Sequence, residues 1–257
     1  MTGRPPRPLS PQGPPLPTPR VSEQWWRDAC FVHWRTDPAL VAPLLPRGVR
    51  PDLFDGHAWV GLVPFRMEGA GLLGRGGVPW LGSFLELNVR TYSVDDQGRR
   101  GVVFRTLEAE RAAVVLGARG LLDVPYRWAR MRFAREQDAR GRTVLDYRSR
   151  RRGPSRRSRP ASHLRVAVGE RIDRPEPLEV FLTARFGLHT PWWGRPLWVP
   201  NTHGPWPLHR GELLALEDSL VQASGFRELA ARPPDSVLCS PGVRTGFGLP
   251  LGLGDPR

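Results

Sequence analysis

Apolar and polar positions alternate with a period of two along most of this chain, which predicts strands. Leu85, Leu87 and Val89 alternate with Glu86, Asn88 and Arg90, giving one apolar and one polar face. Asp95-Asp96-Gln97-Gly98 reads as a turn, and Gly101 to Leu107 as the returning strand. Further strands are expected at Cys30–Arg35, Val49–Phe54, Ala58–Met67, Arg127–Arg135, Thr143–Arg150, Leu164–Arg171, Arg185–Thr190 and Leu197–His203, with Glu212–Val221 and Ser236–Phe247 completing the domain. Asp55-Gly56, between two alternating runs, is a strong hairpin signal, and Pro64 should fall at an edge or a bulge. Helical spacing is sparser. Thr36-Asp37-Pro38 opens a short helix that ends before Pro46, Glu108 to Leu122 is apolar at helical spacing, and Glu176 to Ala184 follows two prolines. The pattern predicts a β-rich α+β fold: an antiparallel closed or cone-like barrel with a few short helices.

The domain limits follow from composition. Residues 1 to 20 hold eight prolines and almost no apolar cluster, so residues 1–21 are expected as a disordered Pro-rich tail. Residues 22–250 then form a single domain, and 251–257 a flexible end. Gly69 to Gly82 is glycine-rich and reads either as a lid or as a plain surface connection. The chain shows no secretory leader and no apolar run near the roughly 18 residues of a membrane span, so a cytoplasmic location without membrane is the expectation. Two cysteines, Cys30 and Cys239, are too few for a disulfide scaffold and read as buried thiols.

The charge changes the picture less than its size suggests. A net +13 on 257 residues invites a nucleic-acid reading, yet all 38 basic residues are arginine. Complete replacement of lysine looks like a coding bias rather than selection for phosphate. The excess is local, with Arg148, Arg150, Arg151, Arg152, Arg156, Arg157 and Arg159 crowding one segment. That run reads as the solvated tip of a hairpin, with anion or nucleic-acid binding as a disfavoured alternative.

Three motifs carry a resemblance. They are HWRTDPALVAPLLPRGVRPDLFDGHAWVGLVPFRM from His33, GARGLLDVPYRWARM from Gly117, and His203-Gly204-Pro205-Trp206-Pro207-Leu208. Over roughly residues 25 to 245 the chain resembles the uncharacterised YqjF-like family of the acetoacetate-decarboxylase-like superfamily. The resemblance implies a β-barrel with a small-molecule pocket and leaves a homo-oligomer open. It places the Schiff-base lysine of the decarboxylase on Tyr126, that lysine's charged neighbour on Arg127, and the pocket carboxylate on Glu86. An imine needs a neutral amine, and arginine cannot supply one, so Schiff-base decarboxylation is excluded on side chains.

The candidate chemistry is therefore of another kind. Glu86 could serve as general acid/base if its face lines the interior, or it could be exposed or paired with Arg90 on the same face. Tyr126 could polarise a substrate carbonyl, or sit as a core tyrosine. Arg90 or Arg127 could hold a carboxylate, and since Tyr126 and Arg127 are adjacent on a strand, only one of them should face a pocket. His33, His203 and Trp206 sit in the aromatic motifs and could line the site, although structural roles suit either histidine as well. No spacing supports a metal or a cofactor. The expected ligand is a small keto or carboxylic acid, acted upon by an enzyme or only bound by a sensing protein.

Overall fold

The computed structural model describes residues 3–72, 82–111, 124–153, 159–192 and 194–253. Among the described residues, thirteen strands form one sheet: β1 (Arg20–Thr36), β2 (Val49–Pro51), β3 (Ala58–Leu72), β4 (Phe84–Asp95), β5 (Arg100–Ala109), β6 (Tyr126–Gln137), β7 (Thr143–Arg151), β8 (Ala161–Arg171), β9 (Gly187–Trp192), β10 (Arg195–His203), β11 (His209–Asp218), β12 (Ser236–Gly248) and β13 (Leu251–Gly252). The helices are short: α1 (Pro38–Val41), α2 (Pro177–Thr183) and α3 (Leu220–Ala223).

The strand neighbours run β13-β10-β9-β5-β6-β7-β8-β11-β12-β1-β3-β4-β2, and the extra pairings β4–β5 and β10–β12 close this order into two rings. The wide ring passes through β5, β6, β7, β8, β11, β12, β1, β3 and β4. The narrow ring passes through β5, β9, β10, β12, β1, β3 and β4. The strands common to both have no wet face, because each side of their pleat looks into one ring. Cys30, Val32 and Trp34 of β1, Val60 and Leu62 of β3, and Leu87 and Val89 of β4 fill the wide ring together with Met131, Tyr147, Leu164 and Val166. The alternate residues, Phe31 and His33, Trp59 and Val63, and Glu86, Asn88, Arg90 and Tyr92, turn the other way and are buried as well.

Local sequence signals explain several joints. Asp55 (φ 49°) and Gly56 (φ 77°) take the positive φ values of a tight turn closed by the Phe54–His57 bridge. Its arms part at once, since β2 pairs with β4 while β3 pairs with β1 and β4. Pro64 lies where the β1–β3 ladder breaks between the Arg27–Arg66 and Val32–Leu62 pairs, across from a stretch of β1 that holds the positive-φ residue Asp28, so its missing N–H leaves no gap in that ladder. Helix α2 starts with Pro177 at its first turn and a capping box between Glu176 and Glu179.

Three expectations change. Glu108 does not open a helix: it belongs to β5, is fully buried, and pairs with Arg151 at 2.6 Å. Residues 112–123, where that helix was expected, and most of the Gly69–Gly82 stretch lie outside the described residues. Leu251 and Gly252 form β13 on β10 rather than a loose end. The Pro-rich segment is laid down as a strap rather than left as a tail. Arg4 N–H donates to Asp96 O and Arg7 N–H to Gly98 O (both 2.9 Å), and Gly13 N–H to His203 O (3.0 Å). The Arg100 guanidinium donates to Arg7 O at 2.7 Å and the Thr202 hydroxyl to Pro14 O at 2.8 Å. A proline-rich chain is extended before it docks, so little entropy is lost on docking and a few hydrogen bonds suffice. Gly13 is needed there, since a Cβ would stand 2.5 Å from the Thr202 hydroxyl.

Deleting residues 1–19 is expected to lower stability by roughly 2 kcal/mol, a fall of about 4–8 °C in the melting midpoint. Calorimetry checks this; an unchanged midpoint would show that the strap adds nothing.

Candidate functional site

The site is built on β4. Its residues 86, 88, 90 and 92 share the face turned away from the wide ring, and all four are buried. The Tyr126 hydroxyl, at the start of β6, donates to Glu86 Oε2 at 2.8 Å, and Asn88 Nδ2 donates to Oε1 at 3.3 Å. Tyr126 reaches Glu86 because β6 enters parallel to β5, with Leu107 opposite Tyr126. Pro125 before it offers only a carbonyl, which accepts the Leu107 N–H at 3.2 Å.

Burial raises the Glu86 pKa to about 7, against the hydrogen bonds from Tyr126 and Asn88 and the Arg90 charge, which all favour the carboxylate. The same burial, together with the Glu86 charge, pushes the Tyr126 phenol well up. Near neutral pH, then, Glu86 exchanges a proton while Tyr126 keeps its own.

Arg90 lies on the same face without a salt bridge to Glu86. Its Nη2 donates to the Leu182 carbonyl at 3.0 Å, its Nε makes no hydrogen bond among the described residues, and its guanidinium stands 5.6 Å from the rings of Phe31 and Tyr92. The Asn88 carbonyl oxygen and the Trp26 indole N–H are likewise buried without a hydrogen-bond partner among the described residues. Such groups are uncommon in a folded interior and call for a reason.

Helix α2 holds this wall. The last carbonyls of a helix lack partners within it. Here Leu182 O accepts from Arg90 and from the Tyr92 hydroxyl (2.8 Å), and Thr183 O accepts from Trp206 Nε1 at 3.1 Å. Trp206 packs edge-on to Phe31 at 5.0 Å, against His203 at 5.5 Å, and stacked on Trp26 at 6.0 Å. His203 Nδ1 donates to the Gly204 carbonyl at 2.7 Å, and His33 Nε2 lies 2.6 Å from the Tyr92 hydroxyl. Burial lowers the pKa of both histidines, well below the usual range for His33.

Of the residues expected in the site, Glu86, Tyr126 and Arg90 converge, and Trp206 and His203 form the aromatic wall next to them. His33 joins through Tyr92 and Phe31 rather than touching Glu86. Arg127 does not join: it is exposed, on the side of β6 opposite to Tyr126. Tyr126 was expected to polarise a substrate carbonyl, but its hydroxyl is committed to Glu86. Asn88 and the end of α2 were missed. Asn88 had a visible signal, its polar position on a strand with both neighbours apolar. The α2 carbonyls had none, because they are backbone. Among the described residues no cluster of three His, Cys, Asp or Glu groups could hold a metal.

This architecture defines a class of protein built like acetoacetate decarboxylase. The solved structures it is similar to include the enduracididine biosynthesis enzyme MppR complexed with pyruvate (17% identity, 94% of this chain and 93% of that one, TM-score 0.60). An acetoacetate decarboxylase-like enzyme from Sphingomonas wittichii RW1 (15%, 91% and 94%, TM-score 0.60) and acetoacetate decarboxylase from Legionella pneumophila subsp. pneumophila str. Philadelphia 1 (15%, 93% and 92%, TM-score 0.60) are similar too. More narrowly, the chain belongs to the DUF2071 family of uncharacterized conserved proteins, whose model matches residues 23–244. It is similar to the uncharacterized protein YqjF of Bacillus subtilis (strain 168), 28% identical over 206 residues that make up 80% of this chain and 82% of the relative.

The raised Glu86 pKa has a consequence for stability. Between the carboxyl's unfolded value of 4.5 and about 7 the folded chain holds the proton more tightly than the unfolded chain. Glu86 therefore stabilises most below 4.5, and that contribution is lost as pH rises through 7, by about 3 kcal/mol in all. In Glu86→Gln the loss should vanish from urea-unfolding series across this range. In Tyr126→Phe the carboxyl loses a donor to its charged form, so its midpoint should move above that of the wild type. Carboxyl carbon NMR checks this; an unmoved midpoint would contradict the hydrogen bond.

Proposed function

We propose that the chain binds a small carbonyl- and carboxylate-bearing molecule beside Glu86 and moves a proton on it, without a Schiff base. The observation that carries this reading is the buried Glu86 carboxyl, with a pKa of about 7, beside the buried Arg90, whose Nε makes no hydrogen bond among the described residues. A base works best when its pKa lies near the working pH. Arg90 offers a buried cation whose Nε is unspent, and a guanidinium bonds a carboxylate more strongly than a neutral group does. With the acid held at Arg90, Glu86 takes a proton from the carbon next to the carbonyl, and Tyr126 keeps the carboxylate aimed. Proximity and orientation do the rest.

The keto-acid class is supported by one neighbour, MppR, which was solved with pyruvate. Carrying that ligand class across is a proposal, made because Arg90 supplies what an acid of this size requires. The aromatic wall of Phe31, Trp206 and His203 gives the apolar side of such a site.

The test is a thermal-shift screen of small 2-oxo acids, hydroxy acids and aldehydes, followed by proton exchange in deuterated water. A ligand at about 100 times its Kd adds roughly 2.7 kcal/mol. The expected result is a shift with a 2-oxo acid that is lost in Arg90→Gln, and exchange at the carbon next to the carbonyl that rises through about pH 7. Glu86→Gln should keep the shift and lose the exchange. Binding without exchange in the wild type would leave a ligand-binding protein and remove the catalytic half. No shift with any of these acids would overturn the whole reading.

A further inference from the structure

The outer face of the wide ring carries a second feature, unrelated to Glu86. On β6 the inward residues Ala129 and Met131 alternate with Trp128, Arg130 and Arg132, which are exposed. On β7, inward Leu145 and Tyr147 are followed by exposed Arg148 and Arg150. The register sets Arg130 opposite Arg150 and Arg132 opposite Arg148. One step further, Arg152 N–H donates to Trp128 O at 2.9 Å, and the Arg152 guanidinium lies 4.3 Å above the Trp128 ring. Two adjacent strands and the residue following β7 thus present five arginines and a tryptophan in three facing pairs.

Like charges directly opposite on a sheet destabilise it. The compensation here is one-sided. Asp146 pairs with Arg148, His163 and Arg165, Glu136 pairs with Arg165, and Glu217 stands opposite His163 on the β11 side. Arg130, Arg132, Arg150 and Arg152 have no salt bridge among the described residues. A coding bias accounts for arginine in place of lysine; it does not account for four unpaired guanidiniums gathered beside an exposed indole. Arg130, Arg132, Arg148 and Arg150 form one side of a shallow trough of about 660 Å³ whose lining also includes His163, Glu217 and Asp218.

We infer that this face of β6 and β7 binds single-stranded nucleic acid. Side chains two residues apart on a strand are about 7 Å apart, so each row of arginines reaches along an extended phosphodiester backbone. Trp128, 43% exposed and with its N–H tied to Glu110 O at 3.2 Å, has one ring face under the Arg152 guanidinium and leaves the other to an unpaired base. Cationic rows with an aromatic platform are what single strands require. A duplex keeps its base faces stacked and leaves the indole unused. Alternation already set Arg148 and Arg150 on a strand, and the register adds Arg130 and Arg132 facing them from β6.

The experiment is fluorescence anisotropy of the full chain with a fluorescein-labelled oligothymidylate, from about 50 to 200 mM salt. Four phosphate contacts predict a slope of about −3 in log K against log salt. The triple variant Arg130→Gln, Arg132→Gln, Arg150→Gln should weaken binding roughly tenfold or more at the lower salt and flatten the slope. A control that removes the same charge elsewhere, Arg47→Gln, Arg195→Gln, Arg227→Gln, should change binding little. Trp128→Ala should weaken binding without changing the slope. Equal effects of the two triple variants would reduce the binding to net charge and overturn the inference. So would no binding at the lower salt, or binding through these arginines to phosphatidylserine vesicles but not to the oligonucleotide.

Discussion

A carboxyl taken out of water has to be neutralised, paired or hydrogen-bonded, and in this protein Glu86 is left between those states. Strand β4 is a wall of both rings, so its polar face is as dry as its apolar one. Two neutral donors and a nearby arginine pull Glu86 toward the carboxylate, and burial pulls it toward the acid; the balance falls at about 7. The surrounding structure is arranged around that balance. Tyr126 comes in along β5 to donate, Asn88 donates from two residues away on the same strand, and Arg90 is fixed to the end of α2, where its field acts without a direct ion pair.

Several other buried charges in the same fold are resolved by contact with a guanidinium. Asp52 is paired with Arg185 at 2.5 Å and with Arg100 at 2.7 Å. Burial would raise the Asp95 pKa, but hydrogen bonds from His189 and Arg99 overcome it and hold the group at about 2. Glu108 is paired with Arg151. In each case a carboxylate is matched by a guanidinium in contact, the usual condition for burying charge. Glu86 and Arg90 depart from that pattern together, on one face of one strand. That joint departure separates a candidate site from structural ion pairs, which also shift pKa values.

Much of this is legible in the sequence. Alternation predicted the strands on either side of Glu86, and the lysine-free sequence removed the imine. What the alternation could not tell was whether the polar face of β4 looks outward or inward, because that depends on β9 and β10 closing a second ring from almost a hundred residues away. The same limit hid the strap. Proline content reports that a segment cannot form a core, but not that its carbonyls and N–H groups will find partners on Asp96, Gly98 and His203. Arg127 was separable from Tyr126 by the period of two alone. The arginine lattice was hidden for a third reason: facing pairs are a property of register, and register between β6 and β7 is set by the turn and the inward residues, not by the arginines themselves.

The absence of lysine also bears on what kind of chemistry Glu86 could do. An imine draws electrons away from the carbon chain and so makes loss of a carboxyl group feasible; a carbonyl held only by hydrogen bonds draws them less. Removing a proton next to a carbonyl needs less of that pull, and it needs a base of matched strength close to the carbon. It also keeps the substrate's carboxylate, which then remains available to a fixed cation. On the proposed reading, Arg90, with one nitrogen bonded to the Leu182 carbonyl and another unspent, would hold that group throughout. A site with no lysine amine, holding a tunable carboxyl beside a fixed arginine, is better matched to proton transfer than to carbon–carbon cleavage.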